Sequence, residues 1–176
     1  MAKILITGSA GLIGQTLVEK LQGHFEVAGL DIRHSRTSDW YGDINDYAAV
    51  AAKAQGCDGI IHLAAVSRVV WGEREPALCW HTNVLGSLNI LRAASKLRHK
   101  PWLIYASSRE VYGQQDTLPV KENAPLKPLN LYAQSKKQAE EHFMQARQQG
   151  LHTAIVRFSN VFGRVDDYAD RVVPAF

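Results

Sequence analysis

Gly8-Ser9-Ala10-Gly11-Leu12-Ile13-Gly14 follows directly on the apolar run Ile4-Leu5-Ile6-Thr7 and leads into the helix-like run Gln15-Thr16-Leu17-Val18-Glu19-Lys20-Leu21. This is the pattern of a buried strand that turns sharply on glycines and starts a helix. Glycines at such a junction let the backbone turn tightly and come close to a pyrophosphate, and the free N–H groups and dipole of the helix start attract its negative charge. Spacing of glycines alone is a weak signal. It gains weight from Phe25-Glu26-Val27-Ala28-Gly29-Leu30, which reads as a second strand ending in Asp31, an acid placed where a dinucleotide fold binds the adenosine ribose hydroxyls.

Working outward, strand and helix patterns alternate along the chain. The polar run Ile32 to Asp39 reads as a loop, Tyr47 to Ala54 as a short Ala-rich helix stopped by Gly56, and Asp58 to Ala65 as a third strand ending in small residues. Pro76 opens a long helix in which Trp80, Val84, Leu88 and Leu91 predict a buried stripe. A fourth strand, Pro101 to Ala106, ends in Ser107-Ser108; a Pro-bearing loop spans Gly113 to Pro128; a helix runs from near Asn130 to about Gln149, and His152 to Phe158 is a fifth strand. Alternation of this kind predicts an α/β fold: a doubly wound parallel sheet with helices on both faces and right-handed crossovers. Ligands of such sheets sit beyond the carboxyl ends of the strands, so Gly8 to Gly14, Asp31, Ala64-Ala65, Ser107-Ser108 and Asn160 should line one crevice.

The chain of 176 residues suffices for one domain with a real core and is too short for two ordinary ones. With 46% hydrophobic and 21% charged residues it has the composition of a soluble globular chain. A formal charge of +3, with one local basic group at Lys96, Arg98, His99 and Lys100 that fits a helix C-terminus, gives no reason to expect a nucleic-acid partner. Met1-Ala2-Lys3 leads straight into a strand, with no apolar leader or membrane span, and a cytoplasmic protein is the expectation. Cys57 and Cys79 have neither paired nor metal-like spacing and read as buried thiols, and the seven histidines are scattered, so no metal site is expected. His62 lies within a predicted strand and reads as a core or near-site residue.

Tyr132 and Lys136 stand four apart on the predicted helix and project from one face. Tyrosine is a poor base at neutral pH because its unperturbed pKa is about 10. A nearby ammonium stabilises the phenolate, and Ser108 at the end of the neighbouring strand is able to donate to and accept from the same hydroxyl. The three together are suited to removing a proton from an alcohol while a nicotinamide cofactor takes a hydride. A Tyr/Lys pair in isolation is weak evidence, since that spacing arises by chance on many helices and by itself reads as a packed tyrosine beside a solvated lysine.

These motifs occur together and in order. With Gly42-Asp43-Ile44, His62-Leu63-Ala64-Ala65, Asn83-Val84-Leu85-Gly86, Ala106-Ser107-Ser108-Arg109-Glu110-Val111-Tyr112-Gly113, Tyr132-Ala133-Gln134-Ser135-Lys136 and Arg157-Phe158-Ser159-Asn160-Val161-Phe162-Gly163, the chain resembles the extended short-chain dehydrogenase/reductases, the NAD-dependent epimerases and dehydratases of nucleotide sugars. The resemblance covers essentially the whole chain. It implies a Rossmann fold with Ser108, Tyr132 and Lys136 as catalytic residues, and Lys136 also on the nicotinamide ribose. It places NAD on Gly8, Gly11, Leu12, Ile13, Gly14, Asp31, Asp43, Ile44, Leu63, Ala64 and Ala65, beside Tyr132 and Lys136. Asn160 falls near the phosphate or sugar of a nucleotide-sugar substrate, and Asn83 is either a site residue or a brace for the sheet.

Asp31 favours NAD, whose ribose lacks the 2′-phosphate that a carboxylate repels; Arg33 and Arg36 read either as acceptors of such a phosphate or as a solvated loop. Val66 to Glu73 reads as a loop at the crevice mouth, with Ser67 and Arg68 offered to the substrate and Trp71 either packed on it or anchoring the surface. Related dehydratases carry Asp-Glu after the serine. Arg109-Glu110 here makes dehydration the lesser expectation and favours epimerisation or simple oxidation and reduction. In the family, a segment like Arg171-Val172-Val173-Pro174-Ala175-Phe176 leads into a further substrate lobe. Residues 1–176 are therefore expected to be one NAD-binding domain with that lobe largely absent, which leaves open a second reading as a dinucleotide-binding module without turnover. The resemblance also implies a homodimer joined by the helices Trp80 to Arg98 and Tyr132 to Arg147 in a four-helix bundle.

Overall fold

The computed structural model describes residues 1–163, and the expectation for Arg171 to Phe176 lies outside the described residues. Five strands, β1 (Lys3–Thr7), β2 (Glu26–Leu30), β3 (Gly59–His62), β4 (Trp102–Ser108) and β5 (Thr153–Phe158), form one sheet in the order β2-β1-β3-β4-β5, every neighbouring pair parallel. The chain builds outward from β1 to β2, then returns to the other side of β1 for β3. That reversal opens a crevice beyond the strand ends, where doubly wound sheets bind ligands.

Helices cover both faces, as the alternation predicted. On one, α1 (Leu12–Leu21) packs Leu17, Val18 and Leu21 against Ile4, Ile6 and Ile61. On the other, α2 (Tyr47–Ala54), α5 (Ser87–Lys96) and α6 (Leu131–Gln148) bury Val50, Ile90 and Phe143 against Leu5, Ile60, Leu103 and Tyr105. The split follows from the strand period of two: neighbours in sequence point to opposite sides, so apolar runs such as Ile4-Leu5-Ile6 feed both cores.

Local signals explain most boundaries. Asp46 caps α2, accepting from the amides of Ala48 and Ala49, and Asn130 caps α6, accepting from Ala133. Several expectations need correction. Helix α1 starts at Leu12, not Gln15, so Leu12, Ile13 and Gly14 form its first turn. Strand β3 ends at His62, because Leu63 to Ala65 leave the sheet to pass the glycine turn, and β4 continues through Ser108. The segment read as a loop at Val66 to Glu73 contains a helix, α3 (Val69–Arg74), too short to show a periodic signal.

The predicted stripe on the long helix also divides. Val84 and Leu91 are buried, whereas Trp80 and Leu88 are 37% and 36% exposed. Between α4 (Pro76–Trp80) and α5 lies a π-helical segment, His81–Gly86. Its wider turn, closed by bonds to the fifth residue back, rotates the two halves relative to each other, so a single 3.6-residue stripe cannot run through it. The buried face of α5 is instead Ser87, Ile90, Leu91, Ala93 and Ala94.

Candidate active site

Along the carboxyl ends of the strands runs a crevice of about 1230 Å³ that collects residues from nearly every part of the chain. At one end the glycine turn leaves β1. Gly8 has φ of +72°, a region costly to other residues, and a β-carbon there would lie 2.7 Å from the amide nitrogen of Ala64. A β-carbon on Gly14 would lie 2.1 Å from the carbonyl oxygen of Gly8, so the first turn of α1 sits directly on the loop. No side chain caps Gly11 and no acid occupies the first turn of α1. The amides of that turn thus meet the crevice without a chain-supplied anion, a start suited to an external negative group.

Asp31, at the end of β2, is 7% exposed. Its Oδ2 accepts from the amide of Ala10 at 3.0 Å and its Oδ1 from the amide of Arg33 at 2.9 Å, which ties the acid to the glycine turn. Asp43 and the buried Ile44 follow on the same wall, Asp43 Oδ1 accepting from the Asn45 amide at 2.8 Å. Leu63, Ala64 and Ala65 line the floor.

The other end holds Ser108, Tyr132 and Lys136. Ser108 ends β4, and its Oγ caps the following 3₁₀ turn, Arg109–Tyr112, by accepting from the Glu110 amide. Tyr132 and Lys136 lie on the inner face of α6, both buried. Lys136 Nζ donates to the carbonyl of Ala106 at 2.8 Å and stands 5.0 Å from the centre of the Tyr105 ring. Burial pushes this ammonium down to about 8, against the opposing pull of Cys79 and Glu140, so it is still mostly cationic at neutral pH. Exposed Ser67, half-buried Arg68 and exposed Asn160 also border the crevice, and the Arg68 guanidinium lies 5.1 Å over the Trp71 ring. Apart from Arg36 and Asn83, which do not line it, the residues offered from the sequence for cofactor, substrate and catalysis all border this one cavity.

Asn83 is a brace. Its Oδ1 accepts from the Val66 amide at 2.8 Å, and its Nδ2 donates to the Val66 carbonyl and to Ser135 Oγ, pinning the segment after β3 to α6. His62 belongs to the core: Nδ1 pairs with Thr7 Oγ1 and Nε2 with Ser87 Oγ, and burial, with help from Lys136, pushes its pKa down to about 3.

One group under the site was not foreseen. Glu140, fully buried, accepts from Ser107 Oγ and from Arg157 through Nε at 2.9 Å and Nη2 at 2.7 Å. Arg157 Nη1 donates in turn to Tyr112 Oη at 2.8 Å and to the Glu122 carbonyl at 3.0 Å. This pair fastens α6, β4, β5 and the loop beyond the 3₁₀ turn together, one turn along from Lys136. The signal was present as the four-residue spacing Tyr132, Lys136, Glu140.

The model of the NAD dependent epimerase/dehydratase family matches residues 4–176. A UDP-glucose 4-epimerase of Lactobacillus helveticus is 31% identical over 94% of this chain and 53% of its own length. Among solved structures, UDP-glucose 4-epimerase of Thermotoga maritima with UDP-glucose superposes with a TM-score of 0.87 at 28% identity, over 98% of this chain and 60% of that one. A short-chain dehydrogenase/reductase superfamily protein of Agrobacterium tumefaciens with bound NAD gives 0.85 at 31% identity, over 99% and 55%. The chain thus spans about half the length of the curated relatives it matches. With its sheet order, its glycine turn and its match over nearly all its residues, this chain belongs to the NAD dependent epimerase/dehydratase family.

Proposed function

We propose that residues 1–176 are a dinucleotide-binding domain that takes NAD and, with it, epimerises a nucleotide sugar, with Ser108, Tyr132 and Lys136 as the catalytic residues. The reading rests on one crevice shared by the glycine turn, Asp31 and these three side chains. The uncapped first turn of α1 and the absence of acid there suit a pyrophosphate, and Asp31 suits ribose hydroxyls. Gly8, Gly11, Leu12, Ile13, Gly14, Asp31, Asp43, Ile44, Leu63, Ala64 and Ala65 would hold the dinucleotide, with Ser67, Arg68 and Asn160 on the substrate side.

When bound, NAD supplies an acceptor for hydride from the carbon bearing the reacting hydroxyl, and return of that hydride to the opposite face inverts the centre. Tyr132, as phenolate, takes the hydroxyl proton. Lys136, still charged at neutral pH, stabilises that phenolate, and Ser108 orients the hydroxyl by hydrogen bonding. Arg109 and Glu110 in place of an Asp-Glu pair favour this course over dehydration. The exposed Leu78, Leu85 and Leu88 of the long helix and Met144 of α6 support pairing of two copies through these helices, which sedimentation at micromolar concentration reads as a doubled mass. The free buried thiols of Cys57 and Cys79 suit a reducing, cytoplasmic setting.

Calorimetric titration with NAD, then with UDP-, GDP- and dTDP-sugars, tests the binding half of this reading, and conversion of the bound sugar tests the chemistry. Tyr132→Phe is expected to lower turnover by about 10²- to 10⁴-fold, the usual contribution of a proton-transfer group, and to leave NAD affinity nearly unchanged. Unchanged turnover removes Tyr132 from the mechanism. NAD binding without response to any sugar nucleotide favours the module without turnover, and no NAD binding refutes the reading altogether.

A further inference from the structure

We propose that Glu140 is a positioning residue that acts through Lys136: its buried carboxylate supplies the negative charge that lets this lysine stay an ammonium inside the protein. Tyr132, Lys136 and Glu140 follow one another at four-residue intervals on the buried face of α6, so the lysine lies between the phenol and the carboxylate. Along the helix axis Glu140 is about 6 Å from Lys136 and about 12 Å from Tyr132, so it attracts the ammonium more than it repels a phenolate. The two side chains also grip the same stretch of β4. Lys136 Nζ donates to the Ala106 carbonyl at 2.8 Å, and Glu140 accepts from the hydroxyl of Ser107, the residue before Ser108.

A lysine only 3% exposed needs such a partner, because burial disfavours the charged form. The other titratable groups around it supply little. Cys79 on α4 would attract the ammonium as a thiolate, but burial pushes its thiol up and leaves it uncharged at neutral pH. Burial raises the Tyr105 hydroxyl of β4 well above its usual range and holds His62 of β3 neutral, with a pKa of about 3. Glu73 on α3 is exposed and accepts from the Leu131 amide, and half-buried Glu110 lies beside Arg109, so water and a local cation weaken both. Glu140 is fully buried, and its field reaches Lys136 with little screening. Arg157 on β5 compensates the carboxylate without cancelling that field, since its side chain is 21% exposed and water screens it more.

The inference rests on the proposed function only for its consequence in turnover, and its first measurement needs neither cofactor nor substrate. The lysine Cε–Hε signals of the isotope-labelled chain are titrated by NMR from about pH 6 to 10, with Lys136 assigned by its loss in Lys136→Met. The wild-type midpoint is expected at about 8. Glu140→Gln keeps an acceptor for Ser107 and removes the charge, and should lower the midpoint by about one unit. Glu140→Asp, which keeps the charge, and Cys79→Ala, which removes the rival group, should each stay within about half a unit of the wild type. If melting curves show that Glu140→Gln does not fold, Glu140→Gln combined with Arg157→Met, which strands no charge, takes its place with a downward shift again expected. An unchanged midpoint, or a fall in Cys79→Ala equal to that in Glu140→Gln, overturns the proposal. In sugar-nucleotide conversion the alkaline limb of turnover, where Lys136 loses its proton, should move down with the midpoint. A shifted midpoint with an unmoved limb overturns the link of Glu140 to the reaction. A wild type without turnover refutes the proposed function instead, and the NMR midpoint still decides the role of Glu140.

Discussion

Replacing Arg157 with methionine leaves Glu140 as a fully buried carboxylate whose sole remaining side-chain donor among the described contacts is Ser107 Oγ. Removing one partner of a buried ion pair typically costs about 3–5 kcal/mol, because the charge left behind can neither reach water nor find a counter-ion. Arg157 is itself partly exposed, so some water reaches the gap, and a loss near the lower end, about 3 kcal/mol, is expected. For a chain of this size that corresponds to a melting temperature lower by about 6–12 °C. Glu140→Gln should cost less, about 1–2 kcal/mol, because Arg157 keeps Tyr112 Oη and the Glu122 carbonyl and is able to turn to solvent. In the double variant no charge is stranded, so its loss should fall short of the sum of the single losses by about 2 kcal/mol. Urea unfolding followed by circular dichroism, closed into a double-mutant cycle, measures that coupling. Additivity within about 0.5 kcal/mol would show that the two side chains do not act as a pair, and the fastening of α6 to β4 and β5 would need another cause.

Two further outcomes follow from the core. Gly14→Ala places a β-carbon 2.1 Å from the Gly8 carbonyl oxygen and 2.8 Å from Ser9 Cα, so α1 must lift off the turn. The net loss is expected to be about 2 kcal/mol after the gain of about 1 kcal/mol in helix propensity, read by urea unfolding, and wild-type stability would contradict the close approach of helix and turn. His62 is held neutral in the fold, with its pKa at about 3 against about 6.5 in the unfolded chain, so the unfolded chain binds the extra proton between those values. Its contribution is complete above about pH 6.5 and falls away as the pH drops toward 3; His62→Gln should flatten that acid limb in urea midpoints taken from pH 7 to 4, and an unchanged limb would refute it.

Much of the architecture was legible because it is written in local backbone chemistry. The glycine turn, the helix starting near Asn130, and the apolar runs Ile4 to Thr7 and Gly59 to His62 each act over a few residues, and their signals survive without knowledge of what they pack against. The parallel sheet with helices on both faces followed from the alternation of strand and helix patterns. The position of the site at the carboxyl ends of the strands followed from the same rules, since parallel strands deliver all their ends to one edge.

What tertiary structure alone decided is of another kind. The π-helical segment at His81–Gly86 reassigned Trp80 and Leu88 to the surface, a rotation that depends on how the helix meets its neighbours and not on its own periodicity. Asn83 became a clamp only when Val66 and Ser135, 17 and 52 residues away, came within hydrogen-bonding distance. Glu140 and Arg157 are two ordinary surface residue types in the sequence, and only their mutual desolvation between α6 and β5 makes them a structural pair. The sequence left Arg33 open between a phosphate contact and a solvated loop, and only the fold sets its side chain beside Asp31 and over Gly11. Local conformation depends on bonded neighbours and hydrogen bonds a few residues apart, so the sequence by itself determined the glycine turn, the succession of strands and helices and the parallel sheet they imply; strand order, burial and charge pairing depend on distances between residues far apart in the chain, which only the folded chain brings into being.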